Sequence, residues 1–137
     1  MSTDGAGFRI LLVDDSDDDR LLFKAAFTKS GLSGHIVEKE DGNEAIDFLG
    51  EILPGARTEW PDAVFLDLKM PRKNGFEVLQ WIKDRPAMQI LKIYILSGSQ
   101  EPSDIERARE LGALGYIVKP IKAEKFRELL PAAVASQ

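Results

Sequence analysis

The sequence contains no cysteine and a single histidine, His35, in 137 residues. Disulfides, thiolate nucleophiles and Cys-ligated zinc or iron–sulfur centres are excluded. There is no excess of basic charge either. Eighteen Lys and Arg stand against 23 Asp and Glu, for a net charge of −5. A nucleic-acid surface ordinarily needs a basic patch, so no nucleic-acid partner is expected. Long apolar runs are also missing. The first one, "FRILLV", is short and runs straight into "DDSDDD". It fits neither a signal peptide nor a membrane span, and the expected location is the cytoplasm. No low-complexity segment or internal repeat is visible. What is present suits one domain: the length is right, and 44% of the residues are hydrophobic, enough to fill a core.

Short apolar runs alternate with amphipathic stretches. "RILLVDD" (Arg9–Asp15) reads as a strand without polar alternation, the pattern of a strand covered on both faces. "SDDDRLLFKAAFTKSG" reads as a helix whose acidic first turn suits the helix dipole and which stops at Gly31. "HIVEKE" is a weaker strand, placed at an edge. "DGNEAIDFLGEIL" carries Ala45, Ile46 and Leu49 at helical spacing, and "PGARTEWP" is a loop by its Pro and Gly. The pattern continues with strand "DAVFLD", helix "GFEVLQWIKD" closed by Pro86, strand "KIYILS", helix "SDIERARELG" ended by Gly112, strand "GYIVK" and helix "KAEKFRELL". Pro131 is expected to stop or kink that last helix. Five strands, each followed by a helix, imply an α/β fold: a (βα)5 doubly wound, mostly parallel sheet with helices on both faces.

In such sheets ligands bind beyond the carboxyl ends of the strands, near the point where the strand order reverses. Strand one ends in Asp14 and Asp15, strand three in Asp67, strand four in Ser97 and strand five in Lys119. Each has an ordinary reading. "DD" after a strand is a helix-start signal. Asp67 could cap a loop, Ser97 before Gly98 could be a turn serine, and a strand-end lysine is usually solvated. Their coincidence at one sheet edge is what carries weight. Clustered carboxylates repel unless a positive charge sits among them. All-oxygen donors indicate a hard cation, and few protein ligands favour Mg²⁺ over Ca²⁺. A carboxylate beside Mg²⁺ and a lysine is a plausible nucleophile toward phosphorus. The Lys119–Pro120 step fixes the loop that follows, and such a bond is open to the cis form.

At this point the chain resembles a response-regulator receiver domain of two-component signalling. The resemblance rests on "ILLVDDS", "VFLDLKMPRKNGFEVL", "IYILSGS" and "ALGYIVKPI" and covers Phe8 to Leu130. It leaves residues 1–7 and 131–137 as tails, and it implies the flavodoxin-like strand order 2-1-3-4-5. Matched position by position, Asp67 resembles the phosphoacceptor. Asp14 and Asp15 resemble the acidic pair that holds Mg²⁺, with Asp67 and the backbone carbonyl of Lys69 as further contacts. Ser97 resembles the switch hydroxyl, Lys119 the catalytic lysine, Tyr116 the aromatic whose rotamer reports phosphorylation, and Gly75 the loop glycine. Lys69 departs from the smaller or neutral residue of many relatives, which bears on phosphoryl lifetime.

The resemblance implies a stand-alone regulator, with no output domain after the receiver. It would accept a phosphoryl group from a sensor histidine kinase and switch its partner-binding face. It would not be an enzyme beyond its own phosphorylation and dephosphorylation. The segment from Gly50 to Pro61 together with "LDLKMPRKNG" is most similar to regulators that partner bacteriophytochrome-type kinases. A homodimer is left open. The alternative is a pseudo-receiver that acts as an interaction scaffold and never takes phosphate, but such proteins usually lack an acid or the lysine. A haloacid-dehalogenase-like phosphatase would need an acid at the position of Lys69. A flavodoxin-like cofactor binder would need a Gly-rich phosphate loop where "DDSDDD" stands.

Overall fold

The structure, a computed structural model, describes residues 7–133. Five strands and five helices alternate: β1 (Phe8–Val13), α1 (Asp17–Lys29), β2 (Gly34–Lys39), α2 (Gly42–Ile52), β3 (Ala63–Leu66), α3 (Gly75–Lys83), β4 (Ile93–Ser97), α4 (Pro102–Glu110), β5 (Gly115–Val118) and α5 (Ala123–Ala133). All strand pairs are parallel, in the order β2-β1-β3-β4-β5. The order reverses at β1, which pairs with both β2 and β3.

The burial follows from the sequence pattern. Every residue of β3 and β4 is buried, as is every residue of β1 except Arg9. Unbroken apolar runs can be satisfied only by helices on both faces. One face packs Leu11, Val64, Leu66 and Ile95 against Leu49 of α2, Leu79 of α3 and Ala108 of α4. The other packs Ile10, Leu12 and Phe65 against α1 and α5. There the rings of Phe23, Phe65 and Phe126 meet edge-to-face, with centroids 4.9–5.7 Å apart. Such pairs add about 0.5–1.5 kcal/mol each beyond area burial. The edge strand β2 has no fully buried residue, in keeping with its weaker pattern.

Helix starts are chemically marked. Ser16 Oγ accepts from the Asp19 amide, and Asp17 to Asp19 place negative charge at the N-terminus of α1. Asn74 and Glu77 form a reciprocal capping box on α3. Gly31, at φ 83°, ends α1 in a conformation that side chains with a Cβ resist.

Two details differ from the sequence reading. The segment after α2 is not pure loop. It holds a 3-10 turn at Arg57–Glu59, and Trp60 is buried, its Nε1 donating to the Ile52 carbonyl. Of the stop or kink expected at Pro131, the stop does not occur, because α5 continues to Ala133. A proline inside a helix removes its own N–H bond, and here that loss falls within the final turn. Residues 1–6 and 134–137, which hold most of the two expected tails, lie outside the described residues. Among the described residues, no helix is long and apolar enough to cross a membrane.

Candidate functional site

Neighbouring parallel strands bring the acids together. Val13 and Leu66 are register partners at the ends of β1 and β3, so Asp14 and Asp67 emerge side by side. The backbone continues the ladder one step further. The Asp67 amide donates to the Val13 carbonyl (2.9 Å) and the Asp14 amide to the Lys39 carbonyl (3.0 Å). Asp14, Asp15 and Asp67 each offer a carboxylate oxygen, all within 4.8 Å of one another. Asp14 and Asp67 are buried, whereas Asp15 is exposed. Arg20, itself buried, donates to the Asp14 carbonyl and to Glu38 and Asp17, and so pins the turn between β1 and α1.

Lys119 reaches in from the end of β5. Its ammonium lies 2.8 Å from Asp14 Oδ2, 2.8 Å from Asp19 Oδ2 and 3.3 Å from Asp67 Oδ2. Its amide donates to the Ser97 carbonyl, and its bond to Pro120 is cis. Burial disfavours the lysine's charge, but Asp14, Asp19 and Asp67 overcome this and raise its pKa above the usual range. Asp67 moves the other way from a typical carboxylate. Burial pushes it up to about 6, against the pull of Lys119 and with a push from Asp14.

Three carboxylates thus surround one ammonium, and Asp15 stands beside two of them. Asp14 Oδ1 accepts from the Ser16 amide. Asp14 Oδ2 is buried and faces the Lys119 ammonium at 2.8 Å. Three carboxylates that each bring an oxygen to one place form an all-oxygen donor set, which suits a hard divalent cation. Asp15 lines a cleft of about 480 Å³ whose walls also include Lys69, Asn74, Phe76, Asp104 and Arg107. Lys69 lines the same cleft as Asp15. The Lys69 side chain itself is exposed.

The loop from Leu68 to Asn74, which carries Lys69, is held at three points. The Gly75 amide donates to the Leu68 carbonyl. A Cβ at Gly75 would come within 2.4 Å of the Asp67 carbonyl oxygen, so only glycine lets α3 start this close to the acceptor. Buried Asp41, the N-cap of α2, accepts from Arg72, whose backbone sits at φ 65°. The Gly42 amide donates to the Lys73 carbonyl (3.1 Å).

Ser97 is buried at the end of β4, and its Oγ accepts from the Ser99 amide (3.1 Å). Tyr116 on β5 is the register partner of Ile95, two residues before Ser97, which places Tyr116 and Ser97 on the same sheet face. The Tyr116 hydroxyl is buried without a hydrogen-bond partner. Asp14, Asp15, Asp67 and Lys119 thus come together directly. Ser97 joins them through the Lys119 backbone, and Tyr116 lies behind Ser97 along the sheet.

Asp19, Asp41 and Arg72 escape the sequence reading. Asp19 looks like one more helix-start acid in "DDSDDDR", and only the docking of α1 beside the β5–α5 loop pairs it with Lys119. The "DG" at Asp41 signals a helix start, not a latch on a loop 31 residues away.

Comparison with known proteins agrees with this geometry. The response regulator receiver domain family matches residues 10–131. The chain is 32% identical to FilR2 of Methanothrix harundinacea, described as a probable methanogenesis regulatory protein, over 88% of this chain and 77% of that one. It is 30% identical to the two-component response regulator ORR1 of Oryza sativa subsp. indica over 93% of its length, and it spans only 56% of that relative. Among solved structures it resembles the bacteriophytochrome response regulator AtBRR, at 35% identity and a TM-score of 0.76, covering 89% of both chains. The chain belongs to the response-regulator receiver family of two-component signalling.

Proposed function

We propose that this receiver accepts a phosphoryl group from the phosphohistidine of a sensor kinase onto Asp67. The observation that carries this reading is the Asp67 carboxylate, set among Asp14 and Asp15 and 3.3 Å from the Lys119 ammonium. An Asp67 oxygen attacks the phosphorus in line and forms a new O–P bond. The P–N bond to the donor imidazole breaks, and its electron pair leaves with the nitrogen, which takes up a proton. Lys119 offsets the charge on the phosphoryl oxygens, and the Ser97 hydroxyl donates to one of them. Asp14, Asp15, Asp67 and the Lys69 carbonyl would hold Mg²⁺, which when bound neutralises phosphoryl oxygen charge. Water reverses the modification by attacking the same phosphorus and releasing Asp67. The chain turns over no separate substrate, and its chemistry is its own phosphorylation and dephosphorylation.

The likeness to AtBRR, a bacteriophytochrome response regulator, supports a bacteriophytochrome-type kinase as the donor. The rival scaffold reading has no missing acid or lysine in its favour. Labelling separates the two. Acetyl phosphate or phosphoramidate should add one phosphoryl mass to the parent only when Mg²⁺ is supplied, and none to Asp67→Asn. A parent that stays unlabelled under those conditions overturns this reading and leaves the scaffold.

A further inference from the structure

The Lys119 ammonium has one more carboxylate than its proposed role requires. Asp19 Oδ2 is as near as Asp14 Oδ2 and nearer than Asp67 Oδ2. Asp19 Oδ2 accepts a hydrogen bond from that ammonium. Asp19 belongs to the first turn of α1, apart from the cluster formed by Asp14, Asp15 and Asp67. This creates a competition. Under the reading above, Asp14 and Asp67 serve a divalent cation, yet Lys119 already draws on one oxygen of each. The lysine cannot simply retreat to water, because its side chain is only 16% exposed. A buried ammonium stripped of its partners is strongly disfavoured.

We propose that Asp19 is a positioning residue that keeps Lys119 paired while Asp14 and Asp67 turn to the cation. Cation binding and retention of the lysine are then compatible within one pocket. Asp19 stabilises the ammonium before and after cation entry, but it matters more after, when the other two carboxylates are neutralised. Its removal therefore weakens cation binding although it is not itself a ligand. This inference rests on the proposed function, because it takes Asp14 and Asp67 as cation ligands.

Deleting any nearby negative charge also weakens cation binding through space, so the test isolates the path through Lys119. Mg²⁺ affinity is measured by titration calorimetry in the parent, Asp19→Asn, Asp18→Asn, Lys119→Met and Asp19→Asn/Lys119→Met. Asp18 is the matched control, an exposed acid of the same helical turn with no ion pair among the described residues. Asn at 19 keeps the backbone N–H that Ser16 Oγ accepts, so the helix cap survives. Asp19→Asn should weaken Mg²⁺ about fivefold and Asp18→Asn less than about twofold. In the Lys119→Met background the Asp19→Asn effect should shrink to that of Asp18→Asn. An equal loss in both backgrounds, or equal losses at 18 and 19, overturns the role of Asp19 and leaves the proposed function standing. A parent that binds no Mg²⁺ overturns both.

Discussion

Asp41 caps α2 with one carboxylate oxygen and holds Arg72 with the other, so one side chain ties a helix start to the loop behind Asp67. The Glu44 amide holds its pKa below the ordinary 3.8, with Arg72 helping and burial opposing. The unfolded chain therefore takes up this proton at higher pH than the folded chain. The resulting stability is present above 3.8 and is lost as pH falls through the lowered folded value. Asparagine caps helices as well as aspartate does, so Asp41→Asn removes the charge and keeps the cap. It should cost about 1 kcal/mol at neutral pH, since Arg72 is largely exposed. Urea unfolding at stepped pH should show that difference closing as the solution is acidified. A pH-independent difference would place the effect in packing instead of charge. At this scale the sequence discloses residues that lie at strand ends, where topology alone brings Asp14, Asp67 and Lys119 to one edge. It does not disclose Asp19 or Asp41, whose partners are set by side-chain reach across a folded surface. Nor does it disclose Arg72, whose left-handed backbone has no glycine to announce it.

The elements that join the site to the rest of the molecule are β4, β5 and α4. Ser97 is tied by its carbonyl to Lys119 and by its hydroxyl to the Ser99 amide, while the Tyr116 hydroxyl lies buried and unpaired on the same sheet face. A buried hydroxyl without a partner costs about 1–3 kcal/mol, which favours any second arrangement that satisfies it. If Ser97 turns toward a phosphoryl group, it vacates space beside the Tyr116 ring. The change is a population shift, and the phosphoryl group must bind one arrangement better to drive it. Beryllofluoride, which mimics the phosphoryl group, should therefore move NMR resonances from Asp67 through Ser97 to Tyr116 and α4. Ser97→Ala should confine the shifts to the pocket. Shifts that stop near Asp67 in the parent would sink this switch. The elements themselves were legible because β1, β3 and β4 are covered on both faces and so appear as unbroken apolar runs. No stop falls at position 131 because only two helical residues follow the proline, so the bond it removes lies in the final turn.

Across the whole molecule, folding gathers charges that the unfolded chain keeps apart. Asp14, Asp19 and Asp67 converge on one ammonium, and Asp15 crowds Asp14 and Asp67, in a chain already at −5. That arrangement opposes folding until a cation joins it. A divalent cation that binds only the folded chain adds RT ln(1 + [L]/Kd), about 2.7 kcal/mol at a hundred times Kd. For a domain of this size that is a rise in Tm on the order of 10 °C. Asp15 is the member to remove, because it is exposed and contributes little packing. Asp15→Ala should have two effects of opposite sign. The cation-free protein should melt at the same temperature as the parent or slightly higher, since one repulsion is gone. The Mg²⁺-dependent rise should be largely lost, since one of three clustered carboxylates is gone. The titration is run at constant ionic strength with NaCl, so that general screening, which acts on all surface charges, is held fixed. A parent that gains Tm with Mg²⁺ while Asp15→Ala does not would place the stabilising ion at this cluster. If Asp15→Ala gains as much as the parent, the ion binds elsewhere and Asp15 has no part in holding it.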